Sequence, residues 1–393
     1  MKRKTALVIV WASLFSLNFS SVNVAEASEM AAGGEASDTD VRIESSDPAK
    51  TAKKFLFLPV PIAFYMPETR WALGAAVLFS YDPRGHSSIT RPSTLSLSGY
   101  TTQNRQYSIE LQPEIYLKNE TYYIKGSLRI SRYPDKFFGI GDGTTSEMEE
   151  SYTPEFLKLE LSFQKKILPG SGIYAGLGYK FERHRMIEVM PEGALSATGG
   201  PERLEIHGRE GGTLSALGLI LNWDTRDNIY FPRNGRLFQL TADVYAAALG
   251  SDFDFTSLKL DLRTYLPLLT SHALAFQFLM ETRLGEPPFY SLSQLGGDRI
   301  LRGYYTGRFR DKTAAVLQGE CRLQVLKKLG VVLFAGLGNV ADRPGHLNLR
   351  TLKYTLGIGV RFFLSPGETP CVRGDFGLGK KSSGLYVTVK DAF

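Results

Sequence analysis

The five histidines are the first residues to consider as catalytic or metal-binding groups. They stand far apart in the chain, at His86, His184, His207, His272 and His346. None lies beside a serine or carboxylate arrangement that would activate a nucleophile. Their spacing does not match that of a metal site either. The sequence therefore predicts no catalytic residue, no metal and no cofactor, and it predicts that the protein is not an enzyme.

The charged side chains are the second group that could do chemistry. The 46 basic and 40 acidic residues leave a net charge of +6. The two signs are interleaved along the chain and form no block of like charge, so the composition gives little support for a nucleic-acid partner.

The charges must be carried by strands, because they alternate with apolar residues. In residues 258–263 three leucines alternate with Lys259, Asp261 and Arg263, so one face of a strand is apolar and the other is charged. Residues 122–130 and 157–164 repeat the pattern. A membrane barrel has weak hydropathy per segment because only alternate residues meet lipid. We therefore predict an all-β fold, a transmembrane antiparallel up-and-down β-barrel; a large secreted β-sandwich is the alternative.

Polar breaks between the alternating segments set the number of strands. Short breaks alternate with longer ones, which is typical of an outer-membrane barrel with periplasmic turns and external loops. The predicted strands are 55–66, 71–82, 93–103, 105–117, 121–133, 152–166, 170–189, 211–225, 235–248, 254–267, 272–284, 313–326, 329–340, 352–364, 370–379 and 384–393. Open edges are costly in hydrocarbon, so the first of these sixteen strands should close on the last, which ends at Phe393.

The beginning of the chain has a different composition. Basic residues, a short apolar run and the small residues Ala25 and Ala27 predict a signal peptide over 1–27. Residues 28–54 are polar and lack periodicity, which predicts a flexible periplasmic tail. The barrel domain then spans 55–393. Two cysteines are too few for a disulfide framework, and we expect free thiols.

Six motifs occur in a fixed order along most of the predicted barrel. They are residues 137–142, 224–235, 296–305, 334–340, 357–361 and 373–377, and a terminal Phe393 follows them. Each motif is weak by itself, because glycine-rich β segments are common. In this order they resemble the BamA/TamA superfamily of outer-membrane insertases and secretion pores, also called the bacterial surface antigen family.

The resemblance implies a particular role for loop six, the loop that contains residues 296–305. In the family an Arg-Gly-aromatic motif of this loop folds back into the lumen, which here would be Arg302, Gly303 and Tyr304. Without the resemblance, Arg302 would be interpreted as a solvated loop residue.

A guanidinium inside a barrel needs carboxylate partners, because an unpaired charge away from water is costly. The candidates with lumen parity near the closing seam are Glu281, Glu320 and Asp375. The chain departs from the family at Gly336, where members often have an aspartate, so no particular salt bridge can be carried over.

Two further motifs have structural interpretations. Residues 224–235 predict a strand, a periplasmic turn and a new strand, with Pro232 and Gly235 setting the reversal. In this turn Asp224, Arg226 and Asp227 would form a structural ion-pair cluster. The last strand resembles the ending that assembly machinery recognises in outer-membrane barrels, and the predicted assembly signal consists of Tyr386, Val387, Val389 and Phe393.

The resemblance predicts an outer-membrane location and a role in protein insertion or export. Characterised members carry periplasmic POTRA domains, and residues 28–54 are too short for one, so we expect none here. The expected partners are outer-membrane lipid and lipopolysaccharide, the barrel-assembly machinery, and either a separate periplasmic partner or unfolded substrate proteins. The alternative function is a passive or substrate-selective channel, because sixteen strands enclose a wide lumen.

Overall fold

A computed structural model describes residues 54–66, 70–82, 91–196, 206–269, 271–363, 371–389 and 391–393. The predicted signal peptide, and the predicted tail up to residue 53, lie outside these residues. Nineteen strands occur in the described part of the chain: β1 Lys54–Met66, β2 Arg70–Asp82, β3 Ser93–Thr102, β4 Tyr107–Leu117, β5 Tyr122–Arg132, β6 Asp135–Phe137, β7 Glu150–Lys166, β8 Ile173–Val189, β9 Gly211–Asp224, β10 Gly235–Tyr245, β11 Phe255–Leu268, β12 His272–Gly285, β13 Ser293–Leu295, β14 Phe309–Asp311, β15 Thr313–Leu326, β16 Leu329–Ala341, β17 Lys353–Phe363, β18 Cys371–Gly379 and β19 Ser382–Val389.

Helical structure is confined to single turns. The described 3₁₀ helices are Ser146–Met148, Ala247–Leu249, Phe289–Ser291, Pro344–His346 and Leu349–Thr351. Within the described ranges, no helix has the length and apolar character needed to span a membrane.

Sixteen of the strands form one meander, in which each strand pairs antiparallel with the next. The other three strands are short. β6 pairs with β7, and β13 and β14 form a hairpin of their own within loop six, residues 286–312. The prediction of an all-β, antiparallel up-and-down fold is confirmed.

The two faces of the meander have opposite chemistry. Along β17, Leu356, Ile358 and Val360 are exposed, while Thr355 and Arg361, which have the opposite parity, are buried. β18 repeats the pattern, as alternating strands with one apolar face require. We call the face that carries buried polar residues the inner face.

Contacts between distant elements show that the sheet curls around its inner face. At one end, the Arg91 guanidinium before β3 lies 2.8 Å from the carboxylate of Asp224 in β9. At the other end, the Lys353 ammonium of β17 donates to the carbonyl of Asp142 at 2.8 Å. We call these the short-turn end and the long-loop end, because the connection 118–121 lies at the first and loop six at the second.

The last strand is shorter than predicted. β19 ends at Val389, whereas the sequence predicted a strand over 384–393. The described residues show no ladder between β1 and β19, so closure of the first strand on the last stays a prediction, whereas the predicted end of the last strand at Phe393 was wrong. Residues 391–393 instead turn to the inner face, where Asp391 and Phe393 are buried. The reason is a set of ionic and aromatic contacts that an extended strand could not make.

Candidate functional site: an arginine cluster beneath loop six

Loop six packs on the inner face through a small apolar core. Leu295, Leu301 and Phe309 of the loop are buried against side chains of the neighbouring strands. The strand residues in this core are Leu279 of β12, Ala314 and Val316 of β15, and Val340 of β16. Burial of this apolar surface favours the docked loop over an exposed one.

Arg302 is enclosed by the strands on which the loop packs. Its guanidinium lies 2.6 Å from the Glu320 carboxylate of β15 and 2.5 Å from the Asp375 carboxylate of β18. Its side chain is only 1% exposed. The guanidinium carbon also lies 3.6 Å from the ring centroid of Phe334, a position that favours a cation–π interaction. A buried arginine with two carboxylates and an aromatic face holds its segment in one place.

The Arg302 contacts belong to a larger buried network. Arg322 donates to Glu320 at 2.9 Å, and Arg361 donates to Asp375. Arg373 donates to Asp298 of loop six at 2.9 Å. With Asp391, these residues form what we call the inner arginine cluster: Arg302, Arg322, Arg361 and Arg373 with Glu320, Asp375, Asp391 and Asp298. Four positive and four negative side chains compensate one another, as burial requires.

The structure brings together two of the three predicted partners of Arg302. Only one or two of the three candidates were expected to pair with Arg302, and Glu281 is the one that does not: its carboxylate lies 2.7 Å from the Lys259 ammonium and 3.4 Å from the Arg283 guanidinium. The two cations neutralise Glu281 at its own position on β12. At Gly336 a Cβ would lie 3.1 Å from Leu301 of loop six.

Gly303 and Tyr304 fasten the loop to the last two strands. Gly303 has a φ of 119°, and a Cβ at this position would lie 2.9 Å from the backbone of Gly377 and Leu378 in β18. Only glycine fits this backbone conformation and this close approach. The Tyr304 hydroxyl accepts from the backbone N–H of Lys380 at 2.8 Å. The loop therefore contacts the turn between β18 and β19.

Tyr386 of β19 reaches back to the same segment. Its hydroxyl accepts from the Gly303 N–H and donates to the Tyr304 carbonyl, each at 3.0 Å. Ser382 donates to the Gly303 carbonyl at 2.6 Å. These contacts hold the last strand to loop six.

Replacing Tyr386 with phenylalanine removes both hydrogen bonds without removing the ring. We expect the variant to lose about 1–3 kcal/mol of unfolding free energy, because the backbone groups of Gly303 and Tyr304 lose their partner. Urea unfolding of refolded protein in detergent measures the loss. Tyr354→Phe is the matched control, since Tyr354 is exposed on the outer face, and the assignment is wrong if the two variants are equally stable.

At the long-loop end, loop six contacts the segment between β5 and β7. The Tyr305 hydroxyl donates to Asp135 at 3.0 Å, and burial together with the Asp135 charge raises the pKa of Tyr305. The Arg308 guanidinium lies between the rings of Phe138 and Phe309, at 4.8 and 4.4 Å, and burial lowers its pKa. These contacts cover the inner arginine cluster from the long-loop end.

The predicted turn motif lies at the short-turn end. Arg226 donates to both carboxylate oxygens of Asp224, at 2.9 and 2.8 Å. Burial alone would lower the pKa of Arg226, but the hydrogen bonds and charge of Asp224 raise it. Asp227 was misassigned as an ion-pair partner: its carboxylate accepts the backbone N–H of Arg233 and shapes the turn. The Pro232 carbonyl accepts from Arg322, and β10 begins at Gly235.

The predicted assembly signal is divided between two environments. Val387 is exposed on the outer face, whereas Tyr386 faces loop six and Phe393 is buried. The sequence predicted that Phe393 would continue the apolar stripe of β19. The structure shows that it does not.

Five cluster residues were not identified from the sequence: Arg322, Arg361, Arg373, Asp391 and Asp298. The alternation contained the signal for the three arginines. Arg322 has the strand parity of Glu320, Arg373 has that of Asp375, and Arg361 has the buried parity of β17. Asp391 gave no such signal, since its position depends on the turn that follows Val389.

Comparisons with known proteins agree with this architecture. The model of the Omp85 superfamily domain matches residues 64–378. No curated protein sequence matches the chain. Among solved structures, BamA from Haemophilus ducreyi lacking POTRA domains 1–3 is similar at a TM-score of 0.50 and 15% identity, covering 87% of this chain and 69% of that chain.

Two structures of CdiB are also similar. The match to CdiB from Escherichia coli has a TM-score of 0.53 and 10% identity and covers 88% of this chain and 63% of that chain. For CdiB from Acinetobacter baumannii the values are 0.50 and 13%, with coverage of 85% and 59%. At these identities the likeness shows the fold alone, and the chain spans between 59% and 69% of the length of these three chains.

The family model covers most of the chain, and the solved neighbours share its all-β, antiparallel fold. The resemblance read from the ordered motifs is thereby confirmed, and the chain belongs to the Omp85 superfamily.

Proposed function

We propose that this protein is a bacterial outer-membrane barrel that acts in protein insertion or protein export. Membership of the Omp85 superfamily supports the location and the general role. Outer-membrane lipid and lipopolysaccharide would surround the exposed apolar face, and the barrel-assembly machinery would insert the protein itself. Unfolded substrate proteins, alone or with a separate periplasmic partner, would be its clients.

The observation that carries the proposal is the attachment of loop six to the last strands. Arg302 pairs with Asp375 of β18, and Tyr386 of β19 binds the backbone of Gly303. The described residues of β1 and β19 share no ladder, and the proposal is that the edge of β19 is open to a client strand. Such an edge binds an extended polypeptide by adding it as a further strand. Loop six would hold the β19 edge in place for this pairing.

Depletion of the protein tests the role directly. A census of the outer-membrane proteome after depletion should show a fall in other barrel proteins or in secreted proteins. If no other protein of either class changes in abundance, the proposal of insertion or export is wrong.

A channel is the second candidate function, and one observation favours it. A cavity of about 550 Å³ lies between loop six and the inner faces of β5 and β7–β12. Its wall carries ion pairs, including Lys158–Glu182 at 2.8 Å, Lys180–Asp243 at 2.6 Å and Lys259–Glu281 at 2.7 Å. Such a charged wall suits water and small polar solutes.

Single-channel recording in planar bilayers separates the two functions. A channel would pass a large steady current that survives Arg302→Ala, because the charged strand side of the cavity wall does not depend on that residue. Insertion or export with loop six docked predicts little steady current from the unaltered protein. Arg302→Ala should then produce irregular openings as the loop loses its anchor.

A further inference from the structure

The inner face has a second site, near the short-turn end, which residues 391–393 occupy. The Asp391 carboxylate bridges two guanidiniums: one oxygen lies 2.9 Å from Arg361 Nε and the other lies 2.9 Å from Arg322 Nη2. The two arginine side chains are at most 1% exposed. Two buried guanidiniums around one carboxylate form a strong anion site.

The aromatic part of the site surrounds Arg322. The guanidinium carbon lies 4.9 Å from the ring centroid of Phe231, 5.4 Å from Tyr265 and 5.6 Å from Phe393. Phe393 packs with Tyr265 and Ala275 and is 5% exposed. Arg322 also donates to the backbone oxygen of Phe393 at 2.9 Å. The segment thus supplies the third ring around this guanidinium, as well as a carboxylate.

Side-chain contacts, rather than strand pairing, hold the segment. The ladder between β18 and β19 ends at Val372 and Val389, and Asp391, Ala392 and Phe393 belong to no strand. Departure of Asp391 would leave four cluster arginines with three carboxylates, so the emptied site would carry an excess positive charge. A site of this kind favours any segment that restores the anion and the ring.

We propose that this site is a receptor for a polypeptide segment with a carboxylate side chain two residues before an aromatic ring, and that residues 391–393 are its displaceable intramolecular occupant. A second polypeptide carrying this pattern binds when the chain's own segment leaves. The biological use of the site rests on the proposed role in insertion or export, whereas the binding itself does not.

Peptide binding to a shortened chain tests the proposal. The protein ending at Lys390 is refolded from urea into detergent, so that its own assembly signal is not needed, and its folding is checked by the mobility of the unheated protein in SDS gels. The probe is a fluorescent hexapeptide with the sequence of residues 388–393, amidated so that the aspartate provides its only carboxylate. Fluorescence anisotropy should show binding at least tenfold tighter than to the full chain, whose own segment competes at high effective concentration.

Two altered peptides are the matched controls. Replacing the aspartate with asparagine, or the phenylalanine with alanine, should each weaken binding at least tenfold. A peptide that merely added a strand at a sheet edge would bind equally well in all three forms, and that result would overturn the proposal. The absence of binding to the folded, shortened chain would overturn it as well.

A full-length variant covers the case in which the shortened chain does not fold. Asp391→Asn weakens the internal segment without removing it, so the variant should bind the unaltered peptide more tightly than the wild type does. Equal affinity of the two proteins would contradict the receptor. The receptor and the proposed function fail separately. An unchanged proteome after depletion would contradict insertion or export, but it would not alter the measured affinity for the peptide.

Discussion

Replacement of Arg302 by alanine is expected to lower the free energy of unfolding by about 3–5 kcal/mol, because it leaves buried carboxylates without their partner. Glu320 and Asp375 would each lose a contact, at 2.6 and 2.5 Å, and Phe334 would lose the cation on its ring. Urea unfolding of the refolded protein, followed by tryptophan fluorescence, measures the change. Lysine at this position should restore only part of the loss, since it cannot pair with both carboxylates as a planar fork does.

Arg299→Ala is the matched control for this prediction. Arg299 is three residues earlier in the same loop, and its side chain makes no hydrogen bond or ion pair within the described residues, although its carbonyl accepts from Gln318. Loss of a solvent-accessible arginine there should change stability by less than about 0.5 kcal/mol. Equal losses for Arg299→Ala and Arg302→Ala would mean that Arg302 does not anchor the loop.

Gly377→Ala is expected to displace loop six by steric conflict. A Cβ at Gly377 would lie 2.4 Å from the Arg302 carbonyl oxygen and 2.8 Å from the Gly303 nitrogen. Backbone atoms on both sides cannot yield as a flexible side chain would, so the loop must move or β18 must bend. We expect a loss of at least about 2 kcal/mol, comparable with other overpacked positions. Loop six should also become sensitive to protease, which a digestion time course would detect.

The control for this substitution lies in the same strand. Gly374→Ala places its Cβ 3.4 Å from Val360 Cγ2, an ordinary contact on the outer face. Both variants add one methyl group to β18, so a difference between them reports the close approach of the loop and not the strand propensity. If loop six resists protease equally well in the Gly377→Ala and Gly374→Ala proteins, the loop does not pack against β18 as described.

Much of the architecture could be predicted because the period of two is a local property. The charges of β11 alternate with leucines, and this pattern fixes both the strand and its faces whatever its neighbours are. The sixteen strands of the meander follow from such segments and the breaks between them. The three short strands β6, β13 and β14 were missed, since three residues carry too little periodicity to separate them from a loop.

The site was only partly predictable, because its geometry depends on contacts between distant segments. Strand parity placed Glu320 and Asp375 on the inner face, but it also placed Glu281 there. Only the fold shows that Lys259 and Arg283 neutralise Glu281. The position of Phe393 was misjudged for a similar reason: alternation continued the strand, whereas Arg322 and Arg361 draw Asp391 inward.

A double-mutant cycle between Arg302 and Asp375 tests the central claim, that loop six is locked to the inner face through its arginine. Arg302→Ala, Asp375→Asn and the double variant are unfolded in urea under the same conditions as the wild type. If the two side chains form the buried pair described here, the losses should be non-additive, with a coupling free energy of about 2 kcal/mol, within the range for contacting buried charges. Losses that add to within about 0.5 kcal/mol would contradict the claim, because groups that do not touch behave independently.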